Sequence, residues 1–484
     1  MKRPYIIFFF SLFFLYLFYH FHAGLNVFAF DAVLLLVALR LRPELARQES
    51  FRWAVAALLP SALAVVIVHS TYSLIAHAVS MLLLMGFAQL RELRFVWFAV
   101  LLGLSAYVAA PIRAVRRFSL RGDASDQRLT YTLRWLRQAG FPLLLLLPFL
   151  LLYTSGNGAF GQTLAYLSGL FKVSELPLLQ WIFLLLLGAL AVLPLLYYGD
   201  HLGLATRMAS LSDRLHRRRR RPTPGKITTP LSLKKEYRRG VLTLMLLNLL
   251  LLLVNLTDIR YVWQPSMVYS AATLSEYVHQ GTSNLVISIL LAMAVVLYYY
   301  RGNLNFYAAT RPLRWLTYAW LAQNAFLGLS VGVRNYHYIA SFGLAQGRIN
   351  VVFGLLLILV GLFTLYRKVR LRLSLSFLLQ TNGISAWLFL IAFGAVNWTG
   401  VMTRVNLRQS PDRIDWKYLV RELDHTNIYL LVQHAASMPP VEQKHLGRKE
   451  ATARNVAATV ADWRYWNYAD WRAVTALPAP QADH

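Results

Sequence analysis

The stretch VRNYHYIASFGLAQGRINV, residues 333–351, carries two arginines, a histidine and three tyrosine or phenylalanine rings. It lies between LTYAWLAQNAFLGLSVGV, ending at residue 333, and VVFGLLLILVGLFTLY, starting at residue 351, each long and apolar enough for a bilayer. If its flanks cross a membrane, the stretch is the polar connection exposed between two spans. Working outward, runs like these flanks recur through the first 400 of the 484 residues, and the whole chain is 57% hydrophobic and only 14% charged. A soluble protein carries about a quarter charged residues. The expected fold is therefore all-α, a polytopic transmembrane helix bundle of about twelve spans (11–13). The candidates fall near 4–20, 25–39, 53–70, 73–89, 95–112, 141–155, 178–198, 241–257, 283–300, 315–333, 350–366 and 376–397.

The net charge is +28, with lysine and arginine gathered in the connections between apolar runs, the pattern of the positive-inside rule. No aromatic-basic module accompanies the charge, so the expected partner is the lipid bilayer and not nucleic acid. Residues 201–240 hold twelve Lys or Arg, including RRRRR at 217–221 followed by PTPG, and serve as the cytoplasmic anchor. Counting onward places 258–282 outside, 301–314 inside, 334–349 outside and 367–372 inside. Counting backward places 112–140, with seven arginines, inside. Before that the parity fails: three runs separate this connection from RLRPELARQES at 40–50, which also has an arginine excess. Either one early run is re-entrant or interfacial, or the N-terminus lies outside.

Four segments follow: an N-terminal membrane half (1–200), a basic cytoplasmic loop (201–240), a C-terminal membrane half (241–400) and an extracytoplasmic tail (401–484). In the tail, Trp416, Leu419, Val420 and Leu423 repeat at helical spacing, which predicts a small amphipathic helical cap. DWRYWNYADWR at 462–472 is rich in the residues favoured at a membrane surface. Cysteine is absent, which removes disulfides, thiolate metal sites and cysteine nucleophiles together. MKRPYIIFFFSLFFLYLFY at 1–19 resembles a signal peptide, but HFHAGLN follows without a small-residue cleavage site, so it reads as an uncleaved first span.

Because 258–282 and 334–349 fall on the same side, Arg334, His337 and Arg348 are expected to face Asp258, Arg260, Glu276 and His279 across one outer vestibule. Glu276 and His279 stand at i and i+3, on one helix face. Gln323 and Asn324 lie deeper on the helix that ends in Arg334 and Asn335, and polar side chains there need partners inside the bundle. The candidate binding set is Glu276, His279, Arg334, Asn335, His337, Arg348, Gln323 and Asn324. The plain alternatives are a solvated Glu–His pair, arginines snorkelling to headgroups and polar helix packing. Asp31 and His77 also fall at membrane depth, where ionisable groups are costly. No catalytic residue, metal ligand or cofactor is expected. HExxH, GxSxG and Walker motifs are all missing, so metalloprotease, serine hydrolase and nucleotide-driven chemistry lack their residues.

HQGTSNLVISILLAMAVVLYYYRGNLNFY (279–307), WLAQNAFLGLSVGVRNYHYIASFGLAQGRINV (320–351) and VNWTGVMTRVNL (396–407) resemble a group of bacterial polytopic membrane proteins catalogued only as a domain of unknown function. The resemblance implies a bacterial cytoplasmic (inner) membrane protein and brings no established activity. GLAQGRINV departs from it in lacking Thr-Tyr-Lys before Arg-Ile. Three functions stand open on the residues. A transporter or permease would use the polar outer pocket. A non-catalytic sensor or assembly partner would dock an acidic protein or anionic lipid on Arg217–Arg221. A lipid- or glycan-modifying enzyme would use Asp258 or Glu276.

Overall fold

In a computed structural model the described residues are 3–119, 160, 162–163, 177–200, 202–209, 211–217, 230–263, 271–300, 302–307 and 309–477. The expected span at 141–155 lies outside them. No strand forms among the described residues; the chain is helical, with a lone antiparallel bridge between Arg214 and Leu373. Five helices are long and apolar enough to cross a membrane, Glu49–Val68, Val96–Arg117, Leu233–Arg260, Gln346–Leu371 and Leu375–Gly394, and four shorter apolar helices accompany them. The protein is an all-helical membrane protein. Leu246, Leu249, Leu250 and Leu253 are each more than half exposed. Lipid, not water, suits such a face.

The chain forms two compact units. The first comprises Met1–Ala209 with Ala458–Trp471. Its main helices are α1 (Arg3–Phe18), α2 (Leu25–Leu41), α3 (Glu49–Val68), α4 (Thr71–Phe87), α5 (Val96–Ser119) and α6 (Pro177–Leu196). Each packs on the next and α6 returns to α1, closing a ring. Local chemistry sets the boundaries. Ser70 caps α4 through a reciprocal box with Ser73, which satisfies donors that the first turn leaves free. α4 and α5 approach so closely that a Cβ on Gly86 would sit 1.9 Å from the Ala99 carbonyl oxygen, so only glycine permits this crossing.

One residue before α5 and one in its last two turns reach the last turn and tail of α6. Gln89, just after α4, donates to the Pro194 carbonyl at 3.2 Å, and Arg113 donates to the Tyr198 carbonyl at 2.9 Å. Arg42, beyond α2, donates to the Ala88 carbonyl and stacks over the Tyr198 ring at 3.5 Å. The two arginine-rich stretches whose parity conflicted in the sequence thus meet the same few residues.

The second unit comprises Ser210–Ala457 with Arg472–His484. Helices α7 (Pro230–Tyr261), α8 (Ala271–Tyr299), α9 (Arg311–Phe342), α10 (Gln346–Leu371) and α11 (Leu375–Gly394) form its bundle. α9 is central, packed against α7, α8 and α10. Buried Leu244, Ile289, Leu313, Trp320, Leu327 and Leu365 form part of the core between them. The opening stretch is a correction to the sequence reading: residues 334–342 continue α9 as helix, and the connection to α10 is only Gly343, Leu344 and Ala345. At 32 residues α9 is about 48 Å long, well over the roughly 30 Å hydrocarbon core, so its polar end is helix extending past the apolar zone.

The same unit holds α12 (Trp398–Asn406) and a segment of short 3-10, π and α turns up to Ser437. Trp416, Leu419 and Val420 are buried as their spacing foretold, with Leu423 packed beside them, but on short 3-10 and π turns and not on the expected amphipathic helix. α13 (Pro440–Ala461) supplies Leu446 and Ala453 to that core. This segment clasps the α9–α10 corner. The Asn406 amide accepts from the Leu344 N–H at 2.6 Å and donates to its carbonyl at 2.8 Å, and the Tyr418 hydroxyl accepts from the Gln346 N–H at 3.1 Å. Gly343 has φ +77°, and a Cβ there would lie 2.4 Å from the Asn406 amide oxygen, so both backbone and space demand glycine.

Candidate functional site

In the second unit the polar side chains of α9 meet those of α7 in the seam between the two helices. Gln323 donates to the Asn248 amide at 2.7 Å, and Asn248 donates to the Leu316 carbonyl at 3.0 Å. Asn255 donates to the Gln323 carbonyl at 3.2 Å. Nearer the end, Arg334 and Asp258 form an ion pair, and Trp263 donates to Ser330 at 3.1 Å. The Arg334 and Asp258 side chains are only 13% and 5% exposed, so the pair belongs to the packed interface. In apolar surroundings such amide and ionic pairs join helices that the hydrophobic effect alone would leave indifferent to each other.

The other expected residues disperse. Asn324 donates to the Trp320 carbonyl one turn back on its own helix. Asn335 is buried and donates to the Arg348 carbonyl at 3.0 Å. The Arg348 guanidinium lies 4.1 Å from the Tyr338 ring and donates to the Phe342 and Gly343 carbonyls, closing the end of α9. His337 is exposed beside Tyr336. Glu276 and His279 sit on the helical backbone of α8, but their side chains lie outside the described residues. Of the basic run 217–221, all but Arg217 lies outside them too.

A different constellation forms in the first unit. Asp31 of α2 is wholly buried, and neither carboxylate oxygen has a hydrogen-bond partner among the described residues. Nδ1 of His77, on α4, stands 3.8 Å from Asp31 Oδ2 and 3.4 Å from the hydroxyl of Ser61, on α3. Ser61 Oγ also donates to the Leu58 carbonyl at 2.7 Å, so its lone pairs are free to face the imidazole. Beside Asp31, Phe30 packs edge-on against Phe10, Phe14 and Phe18 of α1, an apolar wall. A carboxylate in such a place costs several kcal/mol unless a proton or cation joins it. Aspartate, imidazole and hydroxyl together can hold and pass one proton, with the imidazole as carrier.

The sequence exposed Asp31 and His77 as isolated ionisable residues in apolar runs. It carried no sign that they meet, because α2–α4 packing sets their distance, and Ser61 carried no signal at all.

The C-terminal motif is tied into this same unit. Leu25 and Asn26 N–H groups donate to the Trp466 and Arg464 carbonyls, Arg464 donates to the Tyr16 carbonyl at 2.7 Å, and His69 Nδ1 lies 3.1 Å from Asp470 Oδ2. Its aromatic residues divide: Tyr465 is buried, while Trp463, Tyr468 and Trp471 are exposed.

Fold and site together define a polytopic helical membrane protein with a buried acid–imidazole–hydroxyl cluster in its first unit. The chain belongs to the family described as Domain of unknown function (DUF4153), whose model matches residues 53–433. Neither a curated protein nor a solved structure matches it.

Proposed function

We propose that the protein is a proton-coupled permease of the bacterial cytoplasmic membrane, with Asp31, His77 and Ser61 as its proton-handling site. The observation that carries this is Asp31 itself: an entirely buried carboxyl with no hydrogen bond to either oxygen among the described residues and an imidazole 3.8 Å away. Buried structural acids are ordinarily paired or hydrogen-bonded, so an acid left unmatched in an apolar ring is fitted to change its protonation during a cycle. The outer pocket of the sequence reading is a weaker carrier, since Arg334 is committed to Asp258.

The topology that goes with this has about eleven spans, with the tail from residue 401 extracytoplasmic. α5 is re-entrant and does not cross, an assignment supported by Gln89 before it and Arg113 in its last two turns, which both bond to the end of α6 or the residues just after it. That arrangement puts 40–50 and 112–140 on one side and removes the parity conflict.

The test is uptake into reconstituted vesicles under an imposed pH gradient, across a panel of solutes. At least one solute is expected to accumulate in a gradient-dependent manner. Asp31→Asn should abolish that coupling, and His77→Gln should shift its pH profile. Gradient-driven flux unchanged in Asp31→Asn, or no flux for any solute, would count against the proposal.

A further inference from the structure

A cavity of about 490 Å³ opens in the first unit where the start of α1 and the ends of α5 and α6 converge, lined by Arg3, Arg113, Arg116, Arg117, Tyr197 and Tyr198 besides one leucine. Among the described residues no acidic side chain lines it. Two of the guanidiniums are placed by the protein, while Arg116 and Arg117 are exposed at the cavity's mouth. Arg113 is held by its bond to the Tyr198 carbonyl, and Arg3 stands 5.1 Å from the Tyr197 ring centre. Arg42 stacks on the other face of Tyr198 and holds that wall in place, its own charge answered by Glu44 at 3.1 Å.

Arginines near helix ends often only offset the helix dipole or snorkel to headgroups. Neither role requires two helices, α1 and α5, to bring four of them around one hollow, where they repel one another. The space also exceeds what a few waters need and falls in the range of roughly 300–1,000 Å³ typical of small-ligand sites. Guanidinium forks match phosphate oxygens two at a time, and tyrosine walls supply a flat apolar side for the rest of the molecule.

We infer that this cavity binds a phosphate-bearing anion, either the phosphodiester headgroup of an anionic lipid or a soluble phosphate compound. The site is separate from Asp31 and does not depend on the permease assignment.

The experiment is native mass spectrometry of the full chain in neutral detergent, titrated in separate arms with phosphatidylglycerol, phosphatidylcholine and inorganic phosphate. The wild type should retain phosphatidylglycerol or phosphate in preference to phosphatidylcholine, with the retaining arm naming the source. Affinity should fall about tenfold for each arginine lost in Arg116→Gln and Arg116→Gln/Arg117→Gln. The charge-matched control Arg47→Gln/Arg91→Gln, at exposed sites elsewhere in the unit, should leave it unchanged. In parallel, the bound anion should shield Arg113, Arg116 and Arg117 of the wild type from phenylglyoxal while leaving Arg47 reactive, a readout that needs no variant to fold. Equal retention across all variants, no retention in any arm, or uniform arginine reactivity with and without the anion would each overturn the inference.

Discussion

Replacing Arg334 by methionine tests whether the polar end of α9 is a packing device or a free anion receptor. The Asp258 carboxylate is 5% exposed, so Arg334→Met leaves a nearly dry negative charge without its partner. Breaking a buried pair from one side costs about 3–5 kcal/mol, whereas replacing both partners with apolar residues of similar volume is close to neutral. At about 2–4 °C per kcal/mol for a unit of this size, the single variant should melt roughly 10 °C lower. Asp258→Leu should be similarly destabilised, with the guanidinium now stranded. The double variant Arg334→Met/Asp258→Leu should recover to within about 1 kcal/mol of wild type, a strong coupling in the double-mutant cycle. The assay is thermal unfolding of purified protein in detergent, followed by tryptophan fluorescence and by loss of the monodisperse gel-filtration peak. Single variants that melt with the wild type, or a double variant that loses the sum of the singles, would refute the packing account and return Arg334 to the solvent-facing role.

Lys449 is buried and donates to the Leu419 and Leu423 carbonyls, and burial pushes its amine down to about 8. A neutral amine has two protons, enough for two carbonyls. Between about pH 8 and 10 the unfolded chain binds more protons at this site than the folded one, so this region should gain stability as pH rises, by up to about 3 kcal/mol. Hydrogen exchange across 411–457 in the full chain should slow relative to its intrinsic rate from pH 8 to 10, and Lys449→Met should erase the effect. Gly343→Ala should cost about 1–3 kcal/mol, because alanine is strained at φ +77° and presses on Asn406; thermal unfolding reads this, with Gly347→Ala, where nothing crowds a Cβ, as the unstrained comparison. Since the chain has no cysteine, Ala46→Cys and Arg117→Cys can be introduced singly without background. An impermeant maleimide should label both from the same face of the membrane, and labelling from opposite faces would show that α5 crosses.

Helix type and membrane class were legible in the sequence because both follow from local composition, which a bilayer reads residue by residue. The end of α9 was misread because Arg334, Asn335 and His337 look like a solvent loop by polarity alone. What keeps them helical is non-local: Asp258 from α7 answers Arg334, the Arg348 carbonyl answers Asn335, and Asn406 pins the corner after Phe342. The polar track was legible as a need for partners, but not the partners, Asn248 and Asn255, which sit within an otherwise leucine-rich run. In the tail, apolar spacing named the buried residues correctly, while the turn geometry that buries them depends on packing against α13. The Asp31 cluster and the arginine cavity bring together residues tens to nearly two hundred positions apart, and only helix packing could reveal them.

The central claim is that Asp31 changes its protonation in the working protein. Infrared difference spectroscopy of the reconstituted full chain during a pH titration reads this without knowledge of any solute. The account expects a carboxylic acid carbonyl band that responds to pH, is missing in Asp31→Asn, is displaced in His77→Gln and persists in Asp258→Leu/Arg334→Met. A titration spectrum in Asp31→Asn that superimposes on that of the wild type would contradict it.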